Sequence, residues 1–103
     1  MDHRLKKDKQ FSYVYRKGKR AHSEHLTLFS VASKFKTYKI GYAISKKIGK
    51  ANQRNKLKRR LKEIVRTGNF AKDKFNYVLM AKVGAAELDF ASLKAEVKKV
   101  FEK

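Results

Sequence analysis

SKKIGKANQRNKLKRRLKEIVR, residues Ser45 to Arg66, is the stretch on which the fold turns. It holds ten of the chain's 28 Lys and Arg residues and one acid, Glu63. Its second half has helical apolar spacing, with Leu57, Leu61, Ile64 and Val65 at i, i+4, i+7 and i+8. At 100° per residue those four make one stripe, and Asn55, Arg59, Lys62 and Arg66 point the other way, flanked by Lys56 and Lys58. The same residues therefore dock a helix on a core and present a cationic face outward.

Around this helix the chain reads as one small domain, residues 1–103, without proline, a Gly/Ser-rich linker or an internal repeat. Leu5 to Lys17 reads as a first helix: Phe11, Val14 and Tyr15 share a face, Tyr13 points away, and Gly18 is a stop. His25 to Ala32 reads as a strand with Leu26 and Leu28 on one face and Phe29 and Val31 on the other. Tyr38 to Ser45 alternates strictly, and with the preceding strand it is expected to form a hairpin across the polar turn SKFKT. Asn52 is the expected N-cap of the central helix and Gly68 its stop. Phe75 to Val83 reads as a strand apolar on both faces, which suits a central place in a sheet. Gly84 breaks it, and Asp89 caps a last helix carrying Phe90, Leu93, Val97, Val100 and Phe101. The expected class is α+β in the order α-β-β-α-β-α, with room for a short extra strand before the first long one and a small mixed sheet packed with helices.

Charge narrows the function. A formal net charge of +19 on 103 residues exceeds what solubility needs and directs the chain to a polyanion. No run approaches a membrane span of roughly 18 apolar residues. The N-terminus MDHRLKKDKQF lacks the apolar core of a signal peptide, and the chain has no cysteine. The expectation is a cytoplasmic protein bound to nucleic acid, with no membrane and no obligatory protein partner.

No catalytic or metal-ligating set stands out. His3, His22 and His25 read as surface histidines. The nine acids are scattered without the clustered carboxylates of a two-metal nuclease. The Gly49 loop falls short of a full phosphate-cradling motif. What remains is recognition: cations for phosphates, with affinity falling roughly 10³- to 10⁵-fold between 50 and 200 mM salt for about six to ten contacts, and rings for unpaired bases. Phe11, Tyr15 and Phe29 could line a groove if the first helix packs on the first long strand, although rings at such spacing are core more often than not.

The segment SKKIGKANQRNKLKRRLKE after YKIGYAI resembles the signature of the bacterial ribonuclease P protein subunit. The family's R-N-R-x-K-R core reads here Arg54-Asn55-Lys56-Leu57-Lys58-Arg59, with Lys56 in place of an arginine, which keeps the charge and loses the planar fork. Leu5, Phe11, Val14 and Gly18 match its N-terminal pattern, and the element order fits through Phe101. The resemblance implies a protein that partners a catalytic RNA in removing the 5′ leader from precursor tRNA. It implies that Lys46, Lys47, Arg54, Asn55, Lys56, Lys58, Arg59, Arg60 and Lys62 face the catalytic RNA, and that Phe11, Tyr15 and Phe29 hold the leader. It implies no catalytic or metal-binding residue in the protein, Mg²⁺ held mainly by the RNA, and a left-handed β-α-β crossover, against the right-handed form of about 98% of such connections. A structural RNA-binding protein, such as a ribosomal protein, shares the charge, size and architecture.

Overall fold

A computed structural model of the chain describes residues 4–5 and 8–103. The order is α1 (Asp8–Lys17), β1 (Lys19–His22), β2 (Leu26–Ala32), β3 (Lys39–Ile44), α2 (Ala51–Gly68), β4 (Phe75–Ala81) and α3 (Phe90–Glu102). Short 3-10 turns, Lys46–Ile48 and Ala85–Glu87, precede α2 and α3. The α+β class holds, and the extra short strand is β1.

One expected pairing is overturned. β2 and β3 do not form a hairpin: the sheet runs β1-β2-β4-β3, with β4 antiparallel to β2 and parallel to β3. Both long strands keep their expected faces, because alternation fixes which side chains share a side and says nothing of which neighbour takes the hydrogen bonds. The polar connection from Ser33 to Tyr38 spans the intervening strand, a step of about 10 Å at two strand spacings. β4 is central, as its two apolar faces suggest. The unit β3–α2–β4 joins neighbouring parallel strands.

Both sides of this sheet are covered. On one, Leu26, Leu28, Ile40, Tyr77 and Leu79 meet Leu57, Leu61, Ile64 and Val65 of α2 and Leu93, Val97 and Val100 of α3. On the other, Phe29 and Val78 meet Val14 of α1 and Leu5. The first helix starts later than its periodicity suggests. Arg4 bridges to Ile40, and the Leu5 N–H donates to the Ile40 carbonyl at 3.2 Å, so this part of the chain runs beside β3 rather than as helix. Residues 6–7 lie outside the described residues.

Two helix boundaries also differ from expectation. α2 begins before Asn52: Lys50 takes the cap position, and its N–H donates to Gln53 Oε1 at 3.1 Å. Asn52 Oδ1 instead accepts from the Gln53 N–H. At the other end Gly68 is still helical, and Asn69 adopts the left-handed conformation (φ 54°) that stops the helix. Asp89 caps α3 as expected, accepting from the Ser92 N–H at 2.7 Å, and that bond holds its carboxyl below the usual range.

Candidate nucleic-acid interface

Three local devices aim the basic segment. Ser45 Oγ accepts from the Lys47 N–H at 3.1 Å, closing the turn that exposes Lys46 and Lys47 while Ile48 tucks inward. Gly49 has φ 154°, a conformation strained for other residues, and a Cβ there would lie 2.0 Å from Gln53 Oε1, the oxygen that caps α2, and push that side chain aside. The buried stripe of α2 then sets its rotation, and Asn55, Lys56, Lys58, Arg59 and Lys62 are exposed on its outer face. None of these lysines, nor Arg59, forms an ion pair among the described residues. Arg66, by contrast, pairs with Glu63 at 2.6 Å, so its charge is answered within the helix.

Arg54 and Arg60 are half-buried and border that open face, Arg54 beside Asn55 and Lys58 and Arg60 beside Lys56 and Arg59. Arg60 Nη1 leans on the Leu88 carbonyl at 3.5 Å. Arg54 lines a cavity of about 210 Å³ with Tyr42, Ile44, Ala51, Asn55 and Lys58. Its Nε is buried and has no hydrogen-bond partner among the described residues. A donor left so costs about 1–3 kcal/mol, which an incoming acceptor such as a phosphate oxygen relieves.

The aromatic trio does come together, at different depths. Phe29 is 7% exposed and belongs to the core under α1. Tyr15 meets it edge-on, centroids 4.9 Å apart, and burial raises the Tyr15 phenol, keeping the ring neutral. Phe11 is half-buried and lies over Gly41 of β3, where a Cβ would stand 2.3 Å from Phe11 Cζ. Two members of this site escape sequence reasoning. Gly41 reads only as a small residue in an alternating strand. Arg20, whose guanidinium sits 5.5 Å from the Phe29 centroid, reads as part of a basic turn until β1 is seen to be a strand opposite Phe29.

The two described histidines have separate partners. His3 lies outside the described residues. His22 is exposed, with Nδ1 3.1 Å from Thr27 Oγ1. His25 is not the free surface histidine expected from the sequence: its Nδ1 lies 2.7 Å from Glu96 Oε2, and its N–H donates to Glu96 Oε1 at 2.8 Å. Ser23 Oγ donates to the same oxygen at 2.6 Å. Burial works against the Glu96 charge, but the bonds from Ser23 and His25 outweigh it and hold the carboxyl below its ordinary range. This cluster pins the β1–β2 turn to α3. Among the described residues no three His, Asp or Glu side chains gather as a metal site. Nor, among those residues, is any helix long and apolar enough to cross a membrane.

A family model described as Ribonuclease P matches residues 1–103. The ribonuclease P protein component of a Nitratiruptor species is 36% identical over 99 residues, covering 96% of this chain and 89% of that protein. That of Caldanaerobacter subterraneus subsp. tengcongensis is 34% identical over 101 residues, covering 97% and 87%. In fold, the solved RNase P protein of Staphylococcus aureus matches with a TM-score of 0.91 at 22% identity, covering 99% of this chain and 94% of that one.

Proposed function

The chain belongs to the ribonuclease P protein family, and on that footing we propose that it binds the catalytic RNA through α2 and the turn before it while holding the 5′ leader of precursor tRNA beside α1. The family makes it a component of an endoribonuclease whose partner is the ribonuclease P RNA. In this reading residues 1–103 act as one RNA-binding domain, the RNA carries the catalytic centre, and Mg²⁺ belongs to the RNA.

The observation that supports this best is the two-sidedness of α2. Leu57, Leu61, Ile64 and Val65 are buried, and Asn55, Lys56, Lys58, Arg59 and Lys62 stand free on the opposite face. Lys46 and Lys47 extend the same charge from the preceding turn, and Arg54 brings an unanswered donor from its cavity. Such a surface matches a folded RNA, whose phosphates are many and fixed. Arg60 contributes at the margin, from its place beside Leu88.

The leader differs in sequence among precursors, so contacts that tolerate any base suit it: ring faces and cations. Phe11 and Tyr15 offer accessible rings, Phe29 supports them from below, and Arg20 adds a cation at the end of the site. By neutralising phosphates on both RNAs the protein lowers the repulsion between catalytic RNA and substrate. Less Mg²⁺ is then needed to assemble the cleavage site.

The test is reconstitution. Mixed with the catalytic RNA at low Mg²⁺, the protein is expected to restore cleavage of precursor tRNA to the mature 5′ end, and the protein alone is expected not to cleave. No stimulation, together with tight binding to ribosomal RNA, would make it a structural RNA-binding protein instead.

A further inference from the structure

β1 is an edge strand of the sheet, and its residues alternate between the two faces. Arg20 lies over Phe29 on the α1 side. Lys19, opposite Ser30, and Ala21, opposite Leu28, face the α3 side. There, next to the C-terminal end of α3 and the loop after α2, lies a cavity of about 590 Å³.

Four rings line it in a continuous run. Phe70 stacks with Phe101 (centroids 6.0 Å apart, planes 22° apart), Phe101 meets Tyr77 edge-on at 5.2 Å, and Tyr77 stacks with Phe75 at 6.0 Å. Tyr77 is the buried floor, whereas Phe70, Phe75 and Phe101 are partly open. Phe70 is pressed onto Gly68, where a Cβ would fall 2.2 Å from the ring. The Lys72 N–H donates to Tyr77 Oη at 3.0 Å, tying the loop that carries Lys72 to the strand. Lys19, Lys72 and Lys103 supply positive charge, and no Asp or Glu among the described residues lines the cavity.

We propose that this cavity is a second site for single-stranded RNA, in which an unpaired base stacks at Phe70 and Phe101 and its flanking phosphates meet Lys19 and Lys72. Its volume lies within the roughly 300–1,000 Å³ of small-ligand sites, room for one nucleotide. An uncharged apolar ligand would leave the lysines unanswered, and an acidic peptide would leave the ring run unused; an unpaired nucleotide meets both. The edge strand supplies the route. A strand leaving the α1 side passes Arg20, rounds the β1 edge and meets Lys19 on the other face. The site therefore takes the upstream part of a long leader, and only this route rests on the placing of the leader beside α1.

The test uses the reconstituted holoenzyme and two precursors, one with a leader too short to leave the α1 side and one extended by several unpaired nucleotides. Lys19→Ala with Lys72→Ala is expected to weaken binding of the long-leader precursor and to lower its salt slope by about 1.4, roughly 0.7 for each single-strand phosphate contact. Phe70→Leu keeps an apolar side chain and removes the ring. It is expected to cost roughly 5- to 150-fold in affinity for the long leader, the range for one lost base stack. Binding and cleavage of the short-leader precursor stay at wild-type levels, and circular dichroism shows the variants folded. Equal losses for both precursors, or none for either, would overturn the site. Failure of the wild-type protein to stimulate cleavage of the short-leader precursor would instead overturn the proposed function. A thiouridine-labelled unpaired oligonucleotide probes the cavity on the free protein: crosslinks in β1 and residues 70–75 support it, and crosslinks confined to α1 and β2 refute it. Self-association of the wild type that the variants abolish would assign the cavity to contacts between copies and refute it too.

Discussion

The two faces of the sheet are covered unequally. Among the described residues the cluster under α2 and α3 has fourteen buried members, while the one under α1 has four: Leu5, Val14, Phe29 and Val78. The thick side can hold a helix whose outer face is crowded with like charges, because Leu57, Leu61, Ile64 and Val65 anchor it. The thin side leaves Phe11 and Tyr15 partly open. In the proposed reading, the rigid partner is met by the helix with the deepest anchor, and the variable leader by the face with spare aromatic surface.

The largest expected effect tests whether Phe29 belongs to the thin core or to the groove. Phe29→Ala should cost about 3–5 kcal/mol in a denaturant melt, as much as a truncation such as Leu61→Ala on the thick side at about 2–5 kcal/mol. Its loss of RNA binding should then be equal for precursor and mature tRNA, because the folded population is what falls. Phe11→Ala should spare the fold and weaken precursor binding selectively, by about 1–3 kcal/mol for a lost stack. An unchanged melt for Phe29→Ala would make that ring groove surface and remove the contrast between the faces.

Next in size is the clip between the β1–β2 turn and α3. Glu96→Ala leaves Ser23 Oγ and the His25 N–H without their acceptor and should cost about 1–3 kcal/mol. Because the folded carboxyl sits below its ordinary value of 4.5, Glu96 stabilises the protein above that pH, and the contribution is lost as pH falls through the lowered folded value. Urea midpoints measured down an acid titration should therefore fall less steeply in the variant. A parallel fall would show that the cluster does not link charge to stability.

Smaller still is Gly41→Ala, whose Cβ would meet the Phe11 ring at 2.3 Å and tilt it off β3. Affinity for precursor tRNA should drop by less than with Phe11→Ala, while affinity for the catalytic RNA stays unchanged. Filter binding with each RNA separates the two, and equal losses would mean that α1 and α2 are coupled through the sheet.

Much of this contrast is legible in the sequence, and its gaps have physical causes. The stripe of α2, the alternation of β3 and the doubly apolar β4 are local periodicities, and each survives unchanged. Pairing is not local. Leu28 keeps its face whether β2 meets β3 or β4, so the hairpin expectation failed while the face assignment held. The caps expected for α2 failed for a related reason. Gln53 reaches back to the Lys50 N–H, and Asn69 takes the left-handed turn beside a glycine that would also tolerate it. His25 reads as a surface residue because its partner, Glu96, lies 71 positions away. The depths of Phe11, Tyr15 and Phe29 depend on how α1 lies across the sheet, and spacing along the chain carries no trace of that.

The smallest expected effect falls on the outer face of α2 and asks whether that face serves the fold at all. Glu63 is the one acid from Ser45 to Arg66, and its bond to Arg66 is exposed. Exposed pairs of this kind contribute little to stability, so Glu63→Ala should leave the thermal midpoint in place. It also frees the Arg66 guanidinium one turn beyond Lys62, which lengthens the cationic row by one. Affinity for the catalytic RNA should then rise slightly, and its salt dependence should steepen by at most about 0.9, one added phosphate contact. A steeper slope with an unmoved melt would show that the outer face is electrostatic surface set on a separately stabilised helix. A lower melt with an unchanged slope would show the reverse: that Glu63 is there to relieve repulsion within α2, and that the RNA-facing row ends at Lys62.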